Sequence, residues 1–279
     1  MIRSKKYDVV VYGATVAGVI YALNERGAGK DVLMINRYGF PGGSITSGLN
    51  CLQKIKEPEG EGFYKQFISS LKKDKYGILY NDEKRVLVNP ETVKMILQEL
   101  LVANGVDMLF HVNPLKTETK SEHRLELDLV GKDGIIKMTT SLLLDASENF
   151  LFSFIHGRFQ PREVARKVNL FTTRPLENGF LVYEGISNYV KLRDGRYWVS
   201  LKSADGLSEK EAGRFTPVLH NSGARIQLMP PEIYSRFEFD RENEMTEEPV
   251  KTVEEILSKN FLPDEQLVRA SEIETHLCG

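Results

Sequence analysis

The sequence is poor in cysteine, in long apolar runs and in surplus charge of either sign, and each shortage excludes something. Two cysteines in 279 residues, Cys51 and Cys278, make neither a disulfide framework nor a cysteine-only zinc site. They fit a reducing compartment, and a cytoplasmic protein is expected. No stretch approaches the roughly 20 apolar residues that span a bilayer. The apolar run over 9–23, behind a basic start, superficially resembles a secretory signal. Gly13 and Gly18 punctuate that run, however, and it reads better as a strand followed by a helix. The 37 Lys and Arg nearly balance the 39 Asp and Glu, so no basic excess draws the chain to nucleic acid or to an anionic membrane. The five histidines, His111, His123, His156, His220 and His276, show neither H-x-x-x-H nor H-E-x-x-H spacing, so no metal site is expected.

What is present belongs to a globular protein. Hydrophobic residues make up 41% and charged residues 27%, too apolar for disorder. The length leaves room for one large domain or two modest ones. Charge is unevenly spread: residues 237–279 hold 12 acidic and 4 basic residues. That acidic end reads as the solvated face of C-terminal helices.

The chain opens with a strand at 7–12, centred on Val9-Val10-Val11 and apolar on both faces. Val16, Val19, Ile20 and Leu23 then recur at helical spacing, and Gly27 and Gly29 end the helix. A second buried strand covers 31–35. A helix is predicted over 61–73. Another is predicted from Asn89, which caps, and Pro90, which takes the first helical position. It stops at Asn104-Gly105, and a strand follows at 106–112. Alternating Leu125, Leu127 and Leu129 predict a half-exposed antiparallel strand. Asp133-Gly134 signals a hairpin turn, with strands at 135–138 and 142–146 beyond it. Past residue 150 the texture changes. Strands are predicted at 167–173, 180–184 and 196–202, a helix at 207–220, and a short helix at 250–259. Pro230-Pro231 interrupts any central strand over 226–239. The expected division is 1–155 and 156–279, the latter a β-rich substrate or cap part.

The chemistry-bearing segment is Gly13-Ala14-Thr15-Val16-Ala17-Gly18 at the first strand–turn–helix junction. A helix N-terminus there offers N–H groups and the positive end of its dipole to a pyrophosphate. Gly13 and Gly18 fit the dinucleotide fingerprint, serving the tight turn and close helix packing. Thr15 stands where the pattern has its middle glycine. Asn36, at the end of the second strand, stands where an acid would meet the ribose, and its amide oxygen remains an acceptor.

The run from Tyr7 through Gly13, continued by Asn36-Arg37 and the loop to Gly42-Gly43-Ser44, resembles FAD-dependent oxidoreductases of the glutathione-reductase-like fold. Leu144-Asp145-Ala146-Ser147 is similar to that family's D-A-T-G segment, with Glu148 in place of the glycine. A late glycine–aspartate segment that would close over the cofactor is lacking. The resemblance covers roughly the first 150 residues. It implies an α/β protein: a Rossmann-like FAD/NAD(P)-binding parallel sheet with an antiparallel insertion and a smaller β-rich second part. It also implies FAD as cofactor, with the pyrophosphate on the turn at Gly13, Ala14, Thr15, Ala17 and Gly18 and the ribose near Asn36 and Arg37. Gly42, Gly43 and Ser44 would let the chain approach, the backbone near Val112 would meet the adenine, and Ala146 and Ser147 would lie beside the cofactor. The implied activity is hydride transfer between a small-molecule substrate and flavin.

Two other readings stand beside it. The three departures, Thr15, Asn36 and Glu148, motivate a divergent relative that has lost the flavin, or binds it weakly, and acts as a binding protein. Arg37 after the second strand would suit the 2′-phosphate of an NADP-type cofactor. Cys51 reads as a partly buried thiol rather than a flavin partner, and His156 as a boundary histidine rather than a proton donor. Tyr80 and Lys84 share a spacing with short-chain dehydrogenases by chance. Trp198 reads as packing.

Overall fold

The protein is described here by a computed structural model. It describes residues 5–58, 60–121, 124–157, 162–174, 183–203, 226–228, 230–231, 234–238, 249–257 and 266–278. The expected helix at 207–220, His123 and His220 lie outside them.

The opening strand–helix–strand unit is β1 (Lys6–Tyr12), α1 (Val16–Gly27) and β2 (Val32–Asn36). The first two residues after β1 make the turn, and β1 and β2 run parallel with Val9 opposite Val32. Their contiguous apolar residues serve two cores. Val9 and Val11 face α1 and its neighbours, whereas Val10 and Tyr12 face the opposite side. All four are buried, at roughly 1.5–3 kcal/mol for a fully buried aliphatic side chain.

After a short helix, α2 (Ser44–Ser47), come β3 (Leu52–Gln53) and α3 (Phe63–Lys73), then β4 (Ile78–Asn81), β5 (Val86–Val88), α4 (Pro90–Ala103) and β6 (Asp107–Phe110). The start of α4 follows its sequence signals: the Asn89 side chain accepts from the Glu91 N–H at 3.0 Å. A meander follows, β7 (Asn113–Ser121), β8 (Arg124–Gly131) and β9 (Gly134–Asp145). The strands expected separately at 135–138 and 142–146 are one continuous strand. Thr139-Thr140-Ser141 looks like a break, yet Thr140 is buried and its hydroxyl donates to Leu142 O at 2.8 Å. β9 pairs antiparallel with β8 along its first part and parallel with β1, including Val10 opposite Leu143. It thereby joins insertion and parallel sheet into one sheet, ordered β6-β2-β1-β9-β8-β7.

The second part is an antiparallel sheet of β10 (Arg162–Thr172), β11 (Tyr183–Lys191), β12 (Tyr197–Ser203), β13 (Ile226–Leu228) and β14 (Tyr234–Glu238). It is reached through α5 (Leu151–Ile155). It docks on the loop after α2: Trp198 Nε1 donates to Leu49 O at 2.9 Å and Asn169 Nδ2 to Gly48 O at 2.7 Å.

The chain then returns. β15 (Val250–Thr252) pairs parallel with β9, followed by α6 (Val253–Leu257) and α7 (Gln266–Cys278), which packs on α1. These elements sit on the first sheet, not in the second part to which a division at residue 155 assigns them. The short helix expected at 250–259 begins as this strand. Nor is the acidic end only a solvated face. Glu274 is buried and accepts from the Tyr64 N–H at 2.7 Å, at the start of α3. Gly62 caps α3 without a side chain, and a Cβ there would meet the Glu274 carboxylate at 2.0 Å. The carboxylate therefore serves orphan donors of a helix on another part of the chain.

Candidate functional site

The parallel strands end at a cavity of about 260 Å³, beyond the carboxyl ends of the strands, where open α/β sheets bind ligands. Its floor is the turn after β1. Gly13 has φ +94°, and a Cβ on it would come within 2.5 Å of the Ser147 nitrogen. The turn is held by the Gly13 N–H on Ile35 O at 2.9 Å, and by the Ala146 N–H on Tyr12 O at 2.8 Å. Gly18, one turn into α1, would place a Cβ 2.4 Å from Gly13 O and 2.8 Å from Ala146 Cβ. The helix can approach the strand this closely only without a side chain there.

Thr15 is the N-cap of α1. Its hydroxyl accepts from the Gly18 N–H at 3.1 Å and donates to Ala146 O at 3.2 Å. The side chain is turned into the protein, and the bulk expected from the missing glycine is spent on capping and on β9. Asn36 also lines the cavity and is tied into the loop that follows it. Its Nδ2 donates to Phe40 O at 2.7 Å and Tyr38 O at 3.3 Å, and its Oδ1 accepts from the Ala14 N–H at 3.4 Å. A carboxylate cannot donate to two carbonyls, so the amide here holds the 37–40 loop against the turn.

The second wall is the loop through Gly42 and Gly43, both at positive φ. The Gly42 N–H donates to Ala14 O at 2.6 Å. The Thr46 hydroxyl donates to Pro41 O at 2.9 Å, and a Gly43 Cβ would meet the Thr15 methyl at 2.8 Å. Ser44 is bonded by Gln266 Nε2 at 2.5 Å, and the same nitrogen donates to Glu148 Oε1. The start of α7 thus ties both cavity-lining residues from behind. The C-terminal helix thus returns to the site through Gln266.

Behind Ser147 lies Asp145, fully buried. It accepts from the Ser147 N–H at 3.1 Å, the Ser147 hydroxyl at 2.5 Å and the Ser153 N–H at 2.8 Å. Burial pushes its carboxyl up to about 6, against these bonds, which pull it down. The third wall comes from the antiparallel sheet: Glu163, Arg166, Tyr234 and Ser235. Arg166 pairs with Glu163, its Nη2 at 2.7 Å. Burial raises the Glu163 carboxyl, but Arg166 and the Ser235 hydroxyl hold it below its ordinary value.

The profile of one family, FAD dependent oxidoreductase, matches residues 8–150, just over half of the chain. The chain belongs to the FAD-dependent oxidoreductase family. No curated protein matches the chain in sequence. Among solved structures it resembles a geranylgeranyl bacteriochlorophyll reductase-like protein from Thermoplasma acidophilum. That match has a TM-score of 0.64 and 11% identity, covering 98% of this chain and 78% of that one. A flavoprotein/dehydrogenase from Cytophaga hutchinsonii gives 0.62 and 13%, covering 96% and 76%. The p-nitrophenol 4-monooxygenase PnpA from Pseudomonas putida gives 0.57 and 13%, covering 89% and 72%. Against some larger relatives in fold the chain spans only 52 to 56% of their length. At these identities the likeness establishes the fold.

The cofactor of the family is FAD, and the observed cradle fits it. Gly13 and Gly43 line the cavity and pack so tightly on Ser147 and Thr15 that neither admits a Cβ, and Thr15 takes up one first-turn donor of α1. Of the residues singled out in the sequence, Gly13, Ala14, Thr15, Asn36, Arg37, Gly43, Ser44 and Ser147 line the cavity together. Ala17, Gly18, Gly42 and Ala146 stand behind it. Val112 is buried on the far side of Asn36, bonded to Asn36 O through its N–H at 3.2 Å. Cys51 is buried with its thiol pushed up by desolvation, and His156 is bonded to Thr117; neither lines the cavity. The third wall and Gln266 carry no local motif.

Proposed function

We propose that the chain is an oxidoreductase that passes a hydride between a small-molecule substrate and bound FAD. The observation that carries this reading is the cavity at the strand ends, lined by the Gly13 turn at the start of α1 and by the Gly43–Ser44 loop. FAD supplies the hydride-accepting ring when bound. The protein's part is to bind and orient. Gly13, Ala14, Thr15, Ala17 and Gly18 would present the α1 N-terminus to the pyrophosphate. Arg37, stacked 5.0 Å over the Tyr38 ring, offers a cation at the ribose end beside Asn36. Gly42, Gly43, Ser44, Ala146 and Ser147 would form the close walls, with Val112 setting the outer strand. The Glu163–Arg166 pair reaches the cavity from the antiparallel sheet and would face the substrate side.

Purified protein titrated with FAD tests this. Saturable binding, with flavin absorbance near 450 nm perturbed and an affinity of tens of micromolar or tighter, on the order of 6 kcal/mol, is expected. No binding in that range would return the chain to the flavin-free reading. A titration with NADPH is expected to be silent.

A further inference from the structure

Ser44, Glu148 and Gln266, from three distant parts of the chain, fix one another's protons. An ionised Glu148 can only accept. Gln266 is 1% exposed, and its Nε2 donates both to Glu148 Oε1 and to Ser44 Oγ, the latter at 2.5 Å. Turned over, the amide would set its own oxygen against the Glu148 carboxylate, acceptor against acceptor. The carboxylate therefore fixes which way the amide lies. Gln266 Oε1 is left buried without a hydrogen-bond partner, near Gly43, where an added Cβ would stand 3.2 Å from it. A buried acceptor left so is unfavourable, so the two bonds of Nε2 set the orientation.

The amide in turn fixes Ser44. Because Gln266 Nε2 brings a hydrogen to Oγ, the hydroxyl accepts there and its own proton points elsewhere. Asn50 Nδ2, a second donor, stands 3.5 Å from the same oxygen, at the outer limit of a hydrogen bond. Among the described residues the Ser44 hydroxyl donates to no acceptor. Yet Ser44 is 2% exposed and lines the cofactor cavity. It stands beside the N-terminus of α1: the Gly42 N–H bonds Ala14 O, and Gly43 packs on Thr15. A buried donor at a helix N-terminus suits an anionic acceptor. We infer that the Ser44 hydroxyl donates to a phosphate oxygen of the cofactor's pyrophosphate, and that Gln266, itself turned by Glu148, is the positioning residue that keeps it a donor. The phosphate as partner rests on the flavin reading; the arrangement of protons does not.

FAD titrations of four proteins test this: wild type, Ser44→Ala, Gln266→Met and the double variant, with circular dichroism confirming the fold. Ser44→Ala should weaken FAD binding about tenfold, the loss of one hydrogen bond to a charged group. ADP, which carries a pyrophosphate without the flavin's polyol, is measured by displacement of FAD and should weaken by about the same factor. Gln266→Met, close in volume and neutral, should weaken FAD about fivefold in the wild type and by less than about twofold once Ser44 is alanine. An amide that only propped the cavity would cost the same in both backgrounds, and that result overturns the inference. So does FAD binding to Ser44→Ala within about twofold of wild type. A loss confined to FAD, with ADP unchanged, also overturns it and places the hydroxyl on the polyol. Wild type that binds no FAD fails the flavin reading and this one with it; wild type that binds, with unchanged variants, fails this one alone.

Discussion

Where the parallel sheet meets the cofactor cavity the wall is backbone: Gly13 at φ +94°, Gly43 at φ +54°, and the Ser147 nitrogen packed beneath the turn. Where the antiparallel sheet meets it the wall is side chains, with Glu163 paired to Arg166 and Tyr234 beside Gly48. A backbone wall presents the same N–H groups whatever the sequence and tolerates no Cβ. A side-chain wall can be rewritten residue by residue. The first suits a constant cofactor and the second a variable substrate.

The largest expected effect sharpens that contrast. Gly13→Val forces a β-branched residue to positive φ and drives its Cβ into Ser147. Backbone strain of about 1–3 kcal/mol and overpacking of similar size should add, and FAD affinity should fall by more than about tenfold. Arg166→Leu, on the other wall, should change stability by no more than about 1 kcal/mol. Urea midpoints for the two variants check this, and equal losses would break the comparison.

The unequal legibility of the two walls has the same origin. Gly13, Gly18 and the β1–α1–β2 unit are local: the turn, cap and crossover are encoded within thirty or so residues, and the structure brings the turn residues together as the motif foresees. Asn36 and Thr15 were located by spacing, but their bonds to Phe40 O and Ala146 O depend on contacts no spacing shows. Gln266 and Glu274 reach their partners across the fold. Gln266 meets Ser44, 222 positions earlier, and Glu274 meets Tyr64, 210 positions earlier. Such pairings leave no periodicity in the sequence. In sequence β9 reads as two strands because Thr139, Thr140 and Ser141 are polar, whereas burial of Thr140 depends on its neighbours in the finished sheet.

The next effect probes what supports the backbone wall. Asp145 holds Ser147 in place while buried, and its carboxyl rises from 3.8 to about 6. The folded protein therefore holds this proton more tightly than the unfolded chain. The resulting stability is fully present below about pH 4 and is lost as the pH rises through 6. A shift of about two units corresponds to about 3 kcal/mol at most. Urea unfolding between pH 4 and 7.5 should show stability falling, and Asp145→Asn, with no proton to lose there, should show a flatter profile over that range. A profile as steep in the variant would place the pH dependence elsewhere.

The smallest effect asks to which wall Thr15 belongs. If its side chain stands in the ligand's way, Thr15→Gly restores the fingerprint and FAD affinity should rise about tenfold or more, the return of one to two kcal/mol of overpacking. The geometry points the other way. The hydroxyl is engaged by Gly18 and Ala146, and the methyl rests against Gly43, so the residue supports the turn from inside. A glycine N-cap costs only a few tenths of a kcal/mol relative to threonine, and the lost bond to Ala146 O about 1 more. The expected outcome of Thr15→Gly is a loss of about 1 kcal/mol in urea unfolding and an FAD affinity unchanged to within about threefold. A tenfold gain would move Thr15 to the side-chain wall, making it a residue that trades cofactor affinity for stability of the fold.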